Sequence, residues 1–275
     1  MTRFKFLPRN RFFEVVGGIM FENFGDNKVA MLHEVDMTEC LELRKSIAAA
    51  TGRRPSFTAF VARAVALTIK SHPYANRTTV ELPFFRRIVQ LQDIDISVAV
   101  ERDVPGLEQV VYAGTLARAD EYSLTELTVE LQRLNNVEGE HGARWSLFQR
   151  VVTGLPTPLA RFILRAPRLW PSMWIKHRGG AVMISSPAKY GVDMLVGNWP
   201  WPIGFSFGLD KERPIAVEGQ VVVRPTMMLI MSFDRRLMAG GPAARFFNAV
   251  ARSIESAKAT LARPEDHDGR SSTSN

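Results

Sequence analysis

The segment that most limits how this chain can fold is the apolar run between Ser56 and Pro73. Ser56 is a good helix N-cap, and Pro73 marks a point before which the helix must end. The helix is apolar almost all the way round, with a face formed by Phe57, Phe60, Val61, Ala64, Val65 and Ile69. Such a helix is stable only when it is covered on several sides. The segment therefore predicts a layered domain with a helix buried between other elements.

The rest of the chain shows both strand-like and helix-like patterns. Capping boxes at 36–39 and 123–126 predict two further helices, and Gly241-Pro242 begins the last one, because proline suits the first helical position. The predicted strands cover 14–21, 28–35, 88–100, 181–186, 203–209 and 220–233. Because paired neighbouring strands outnumber βαβ repeats, we predict an α/β fold whose sheet is mostly antiparallel or mixed.

Length and composition predict one domain with a tail. A chain of 275 residues with 46% apolar composition can bury one sizeable core, so we assign residues 1–262 to a single domain. Residues 263–275 hold no apolar side chain that would offset the entropy of ordering them. We therefore predict a disordered tail from Arg263 to the end.

Positive charge is concentrated in one part of the chain. Between His141 and Val192 there is no Asp or Glu, while eight Lys and Arg residues occur there. The remainder has 27 basic and 28 acidic residues, so the net charge of +7 comes from this window. We interpret residues 141–178 as a basic amphipathic insert, and its neutral surroundings and lack of a recognition motif argue against nucleic-acid binding.

Helical spacing within the insert separates apolar from basic side chains. Leu159, Phe162, Ala166 and Leu169 share one face, Arg161, Arg165 and Arg168 share the other, and Pro167 interrupts the helix. No apolar run approaches the ~20 residues that span a bilayer. The apolar face is expected to pack on the domain or on a neighbouring subunit. The alternatives are that residues 144–178 contact an anionic membrane surface or a protein partner.

Cys40 is the only cysteine, which excludes an intramolecular disulfide and a cysteine-based metal site. We expect it to be a small core residue rather than a nucleophile. No secretory signal is recognisable, so we expect a cytoplasmic protein, with peripheral membrane association through the insert as an alternative. We expect no metal and no tightly bound cofactor.

Four groups of residues resemble, in order and approximate spacing, the catalytic domain of the dihydrolipoamide acyltransferases. They are 33–45, then 57–67 with 72–76, then 94–100 with 106–107, and last 184–186, 204–208 and 233–241. The resemblance implies a chloramphenicol-acetyltransferase-like two-layer α/β domain with a mixed sheet covered by helices. It also implies a homotrimer that can assemble further, and a channel between subunits that coenzyme A or acyl-CoA enters as a substrate. No Asp-Lys-Ala tripeptide is present, so we expect no lipoyl group on this chain.

The family carries out acyl transfer with the histidine of a His-x-x-x-Asp-Gly motif as base and a serine hydroxyl supporting the oxyanion. Here Arg235 occupies the histidine position and Ala239 the aspartate position. Ser185 matches the oxyanion serine, and Ser186 is the alternative match. Gly204 and Gly208 match backbone positions near the channel that receives coenzyme A.

An arginine stays protonated and cannot take a proton from a thiol. We therefore expect CoA-dependent acyl transfer to be impaired. Arg235 would instead hold an anion or pair with a nearby acid. The alternatives are an active acyltransferase that uses an unrecognised base, and a structural scaffold without catalysis.

Overall fold

The computed structural model describes residues 28–82, 85–104, 109–136 and 139–266, and the predicted strand at 14–21 lies outside these ranges. The strands are β1 (Lys28–Asp36), β2 (Arg77–Leu82), β3 (Phe85–Gln90), β4 (Ile96–Arg102), β5 (Val110–Leu116), β6 (Val182–Ser185), β7 (Ile203–Phe207), β8 (Lys211–Val217) and β9 (Gln220–Asp234). The helices are α1 (Thr38–Thr51), α2 (Phe57–Ser71), α3 (Leu124–Asn136), α4 (Gly139–Gly154), α5 (Thr157–Arg165), α6 (Pro171–Arg178), α7 (Gly240–Glu255) and α8 (Ala257–Thr260). Four 3₁₀ turns are Pro73–Ala75, Ala166–Leu169, Ala188–Tyr190 and Pro264–Asp266.

The main sheet of the described residues has the strand order β1-β9-β7-β6-β4-β5, with β8 also pairing with β9. The β4–β6 and β6–β7 pairs are parallel, and the other pairs are antiparallel. The sheet is therefore mixed, as predicted. Strands β2 and β3 form a separate antiparallel hairpin. The single β region predicted at 88–100 is wrong, because a turn divides it between β3 and β4.

Helix α2 is the buried centre of the domain, as its sequence predicted. Every residue from Ala59 to Ala66 is buried, and helices α1, α3 and α7 pack with it in one core over one face of the sheet. The only charged residue in that run, Arg63, is satisfied inside the core. Its Nε donates to the carbonyl oxygen of Leu261 at 2.7 Å, and its Nη1 donates to that of Tyr122. The buried guanidinium thus joins the helix to two loops.

Two predicted helix starts are confirmed and one is corrected. The Ser56 hydroxyl accepts the amide of Ala59, and Ser123 and Glu126 exchange hydrogen bonds as a capping box does. At α1 the expected box does not form. The Asp36 carboxylate instead accepts the amide and hydroxyl of Thr38, only two residues away.

The insert folds as three helices, two of which pack beside β5, the last strand in the described sheet order. In α4 and α5, Trp145, Val152 and Ala160 are buried together beside β5. In α6, Trp174 is 2% exposed, and its indole N–H donates to the carbonyl oxygen of Gly180 at 3.1 Å. Trp174 packs with Met183, which lies on the sheet face opposite the α2 core. The insert therefore covers part of the second face of the sheet.

The apolar face predicted for residues 159–169 is partly wrong. Leu159 and Phe162 are 46% and 61% exposed, whereas Ala160 is fully buried and Leu164 packs on the insert core. The buried side of helix α5 therefore includes Ala160 and Leu164 rather than Leu159 and Phe162. Pro167 lies in the 3₁₀ turn that follows α5, so the predicted interruption is confirmed.

Two further predictions need correction. Strand β8 was not predicted; its Pro214 is compatible with the strand because, among the described strands, β8 pairs only with β9 and lies at the edge. The disordered tail does not start at Arg263. Asp266 is fully buried and accepts hydrogen bonds from the amides of Thr125 and Arg263, which anchors the turn at Pro264–Asp266. Residues 267–275 lie outside the described part of the chain.

Candidate functional site

The loop that follows β9 is held by a buried ion pair. Asp234 is 5% exposed and accepts hydrogen bonds from the backbone amide of Arg236 at 2.9 Å and from its guanidinium at 2.5 to 3.0 Å. Burial alone would raise the pKa of Asp234, but these hydrogen bonds lower it below its usual value. The carboxylate therefore stays ionised and fixes the path of the chain into α7.

Arg235 and Ala239 belong to this loop but are both exposed. Ala239 occupies the N-cap position of α7 with extended backbone angles, and no side chain caps the helix. An aspartate at this position would accept an amide hydrogen bond, which alanine cannot do. The loop is thus held by its buried acid, while the predicted motif positions 235 and 239 are an exposed arginine and an exposed alanine.

Lys28 lies next to the same loop at the start of β1. Its ammonium donates to the carbonyl oxygens of Trp201 and Pro202. Burial lowers the pKa of Lys28 to about 8; the nearby Asp234 opposes this change, whereas Arg236 and Arg168 add to it. Because Arg168 comes from the insert, the insert and the β9 loop both act on this amine.

The two serines at the end of β6 differ in their surroundings. The Ser186 hydroxyl donates to the carbonyl oxygen of Phe207 at 2.9 Å and accepts the amide of Ala188 at 3.2 Å, so it stabilises the turn. The Ser185 hydroxyl is partly exposed and has no hydrogen-bond partner within the described part of the chain. Ser185 is therefore the serine available to a bound ligand.

A single chain does not bring Ser185 and Arg235 together. Ser185 is opposite Ser206 on β7, and Ser206 is opposite Ile230 on β9. Arg235 follows Ile230 by five residues, which is on the order of 15 Å along the strand. The two predicted site residues thus lie towards opposite ends of the sheet.

Ser185 opens into a cavity of about 500 Å³. Its lining combines aromatic side chains with a few charged ones, among them Glu101, His177, Arg178, Tyr190, Trp199 and Trp201. Glu101 is neutralised locally, because Lys189 and Tyr190 donate to it at 2.5 and 2.8 Å. Arg178 is also held in place: its guanidinium lies over the ring of Trp201 and donates to the carbonyl oxygen of Leu164.

His177 was not predicted as a site residue, although it lines the same cavity as Ser185. Burial and the charges of Lys176 and Arg144 lower its pKa below the usual histidine value, so the neutral imidazole predominates at pH 7. Nothing in the sequence near His177 forms a motif. Its proximity to the Ser185 cavity arises from the way α6 folds back onto β6, which sequence spacing does not reveal.

Gly204 and Gly208 are required by packing. A Cβ at Gly204 would lie 1.7 Å from the indole of Trp199, and a Cβ at Gly208 would lie 1.8 Å from the carbonyl oxygen of Asp193. Both positions therefore admit only glycine while these neighbours stay in place. This packing explains the two glycines without a ligand, and their predicted contact with coenzyme A stays a prediction.

Cys40 is buried, and its thiol contacts the carbonyl oxygen of Ile254. Burial raises the pKa of Cys40 well above its usual value, which keeps the thiol protonated. Within the described ranges, no group of three or more His, Cys, Asp and Glu side chains is arranged to hold a metal ion. No helix in these ranges has the length and apolar character needed to cross a membrane.

A family model matches most of this chain and interrupts its match at the insert. The family is described as 2-oxoacid dehydrogenases acyltransferase (catalytic domain), and the matched residues are 26–143 and 177–262. Residues 144–176, which contain most of the three insert helices, are left unmatched. The unmatched stretch lies within the insert predicted at 141–178.

Curated relatives are similar over most of this chain. The mitochondrial dihydrolipoyllysine-residue succinyltransferase component of the 2-oxoglutarate dehydrogenase complex of Saccharomyces cerevisiae is 28% identical over 234 residues, covering 83% of this chain and 42% of the relative. The corresponding protein of Haemophilus influenzae is 28% identical over 236 residues, covering 83% of this chain and 49% of the relative. The chain thus spans about half the length of these relatives.

Solved structures of acyltransferase cores share the fold. A probable dihydrolipoamide acetyltransferase from Listeria monocytogenes superposes with a TM-score of 0.67 at 20% identity, covering 95% of this chain and 97% of the other. The cubic core of the pyruvate dehydrogenase multienzyme complex gives 0.68 at 18% identity, covering 94% of each chain. The predicted α/β fold, a mixed sheet covered by helices in the manner of this superfamily, is confirmed.

Proposed function

The chain belongs to the family of 2-oxoacid dehydrogenase acyltransferase catalytic domains, and from that premise we propose a trimeric protein that binds coenzyme A or an acyl thioester but is impaired in acyl transfer. The observation that carries this proposal is the exposed Arg235 in the loop after β9, where the family has its histidine. A guanidinium cannot remove a proton from an attacking thiol. The base for the transfer step is therefore missing from this loop.

Acyl transfer also needs a donor that stabilises the oxyanion of the tetrahedral intermediate. The hydroxyl of Ser185 has no protein partner in the described residues and opens into a cavity, which supports a role in binding a thioester carbonyl. Loss of the base with retention of this donor would leave binding and orientation, but only slow chemistry.

The proposal of a trimer is supported by the positions of Ser185 and Arg235. These residues lie about 15 Å apart along the strand direction within one chain. A site that uses both therefore requires the Ser185 end of one subunit to face the Arg235 end of another. One solved structure with this fold is the cubic core of a multienzyme complex, so the fold is compatible with further assembly.

The proposal is tested by thiol release from acetyl-CoA and succinyl-CoA, with dihydrolipoamide as acceptor. We expect turnover by the natural protein to be close to background. The double variant Arg235→His with Ala239→Asp is expected to increase turnover about 100-fold or more, the usual contribution of a positioned general base. Arg245→His, an exposed arginine in α7, is the matched control and is expected to change nothing.

Rapid turnover by the natural protein would contradict the proposed impairment. Absence of turnover in every variant, together with no binding of coenzyme A by calorimetry, would favour the structural scaffold. Sedimentation of the natural protein as a monomer at micromolar concentration would contradict the trimer.

A second candidate, an active acyltransferase with a different base, is favoured by one observation. His177 lines the cavity of Ser185 within the same chain, and its lowered pKa leaves the imidazole free to accept a proton near pH 7. If the natural protein does turn over, loss of that activity in His177→Gln would identify this base.

A further inference from the structure

A second cavity of about 490 Å³ lies between the insert and β5. It shares part of its lining with the cavity of Ser185, namely Tyr112, Ala113, Phe148, Leu164 and His177. The two cavities therefore adjoin along this shared lining. We call the second cavity the insert chamber.

The lining of the insert chamber is mainly apolar with a cationic part. Its apolar residues beyond the shared ones include Leu147, Val151, Ile163 and Met173. Leu147, Ile163 and Met173 leave 48%, 36% and 37% of their surface in water. Exposure of neighbouring apolar side chains in a concave site is unfavourable unless a ligand covers them.

The charged side chains of the insert chamber are all basic. Arg144 and Lys176 are exposed members of its lining, and no described Asp or Glu lines it. An anionic head group is therefore attracted to this cavity and a cationic one is repelled. Outside this lining, Asp95 interacts electrostatically with Arg144, and Glu101 of the adjoining cavity pairs with Lys189.

Most of the insert chamber is formed by residues that the family model does not match. Leu147, Val151, Ile163 and Met173 all lie within 144–176, whereas β5 lies within the matched part. The site therefore lies where the unmatched segment meets a strand within the family match.

We propose that the insert chamber binds the alkyl chain of a medium- or long-chain acyl group that carries an anionic head group. Its volume lies within the ~300–1,000 Å³ range of small-molecule sites and accommodates a chain of roughly eight to twelve carbons. The anionic head lies near Arg144 and Lys176, and the chain covers the exposed apolar side chains. The identification of the chain as an acyl group rests on the proposed function, because the adjoining cavity contains Ser185.

Calorimetric titration of the natural protein with butanoate, octanoate and dodecanoate tests this proposal. We expect one binding site per chain and an affinity that rises about fourfold for each added CH₂ group, since each methylene leaves water. Dodecanol is expected to bind at least fivefold more weakly than dodecanoate, because it lacks the charge. Equal affinity for butanoate and dodecanoate would overturn the proposal.

Two matched variants locate the site. Leu147 and Leu159 are 48% and 46% exposed leucines of the insert, but only Leu147 lines the chamber. Leu147→Glu is expected to weaken dodecanoate binding at least tenfold, and Leu159→Glu to change it less than twofold. Equal binding by the two variants would rule out the insert chamber as the site. The exposure of both residues makes a folding defect in either variant unexpected.

Titration with coenzyme A and dodecanoyl-CoA separates this inference from the proposed function. Binding of coenzyme A without any dependence on acyl length would leave the proposed function intact and refute the insert chamber. Binding of dodecanoate without binding of coenzyme A would support the insert chamber and contradict the proposed function. Tighter binding of dodecanoyl-CoA than of either part would identify an acyl thioester rather than a free fatty acid as the ligand.

Discussion

The loop after β9 and the insert differ in how they stand to the family match. The loop lies inside the match, where the buried Asp234 holds the chain through Arg236 while Arg235 and Ala239 are exposed. In the insert, residues 144–176 lie outside the match and bring helices, apolar surface and positive charge.

The difference shows that one chain can hold an anchored loop within the matched part and a separate set of helices outside it. The loop is fixed by the contacts of Asp234 with Arg236, whereas Arg235 and Ala239 are exposed. The insert lies beside strands with continuous registers, since β4 pairs with β5 and with β6 without a break. Both regions act on Lys28, because the charges of Arg236 from the loop and Arg168 from the insert each lower its pKa.

The largest expected effect tests whether the insert is part of the cooperative fold. Trp174→Ala removes a side chain that is 2% exposed and is expected to lower the free energy of unfolding by about 3–4 kcal/mol. Trp170→Ala, at a 60% exposed position nearby, is expected to change it by less than about 0.5 kcal/mol. Urea unfolding measures both. A separate early transition in Trp174→Ala would mean that the insert unfolds independently of the sheet.

A smaller effect is expected from the frame of the loop. Asp234→Asn removes the charge that pairs with Arg236 in a buried position and is expected to cost about 2 kcal/mol. Asp193→Asn breaks an ion pair with Lys211 at the surface, where water screens the charges, and is expected to have little effect. Urea unfolding of the two variants compares them. Similar results for both would show that the loop does not depend on its buried pair.

The smallest expected effect is a gain in stability. Ala239 is the uncapped N-cap residue of α7, so Ala239→Asp supplies the missing acceptor and is expected to raise the free energy of unfolding by about 1 kcal/mol. Ala239→Leu is the control, because leucine adds volume without an acceptor. Thermal and urea unfolding measure both variants. A loss of stability in Ala239→Asp would mean that this position disfavours an acid.

The sequence predicted the fold better than it predicted the site. Periodicity and caps located α2, α3, α7 and most strands, because these patterns depend on neighbours within one turn or one strand. The edge strand β8 was missed because Pro214 weakens the strand pattern, and the α5 face was misplaced because only tertiary contact selects Ala160 for burial.

For the site, motif spacing predicted Ser185 and Arg235 but not their relation in space. Their separation along the sheet follows from strand order and register, which single segments do not encode. His177 was missed for a similar reason, since it reaches the Ser185 cavity through the return of α6 onto the sheet. The insert could be predicted from the sequence because it lacks acidic residues. The two cavities beside it could not be predicted, because they depend on how the insert packs.

The exposure of Arg235 and Ala239 affects which substitutions this fold tolerates at the two positions. Neither side chain takes part in the core, so exchanging either one is nearly neutral for folding, and stability selection does not act against the change. The fold therefore tolerates a histidine at 235 or an aspartate at 239, introduced one at a time. The same holds for substitution in either direction, and Ala239→Asp is expected to raise the stability of the fold.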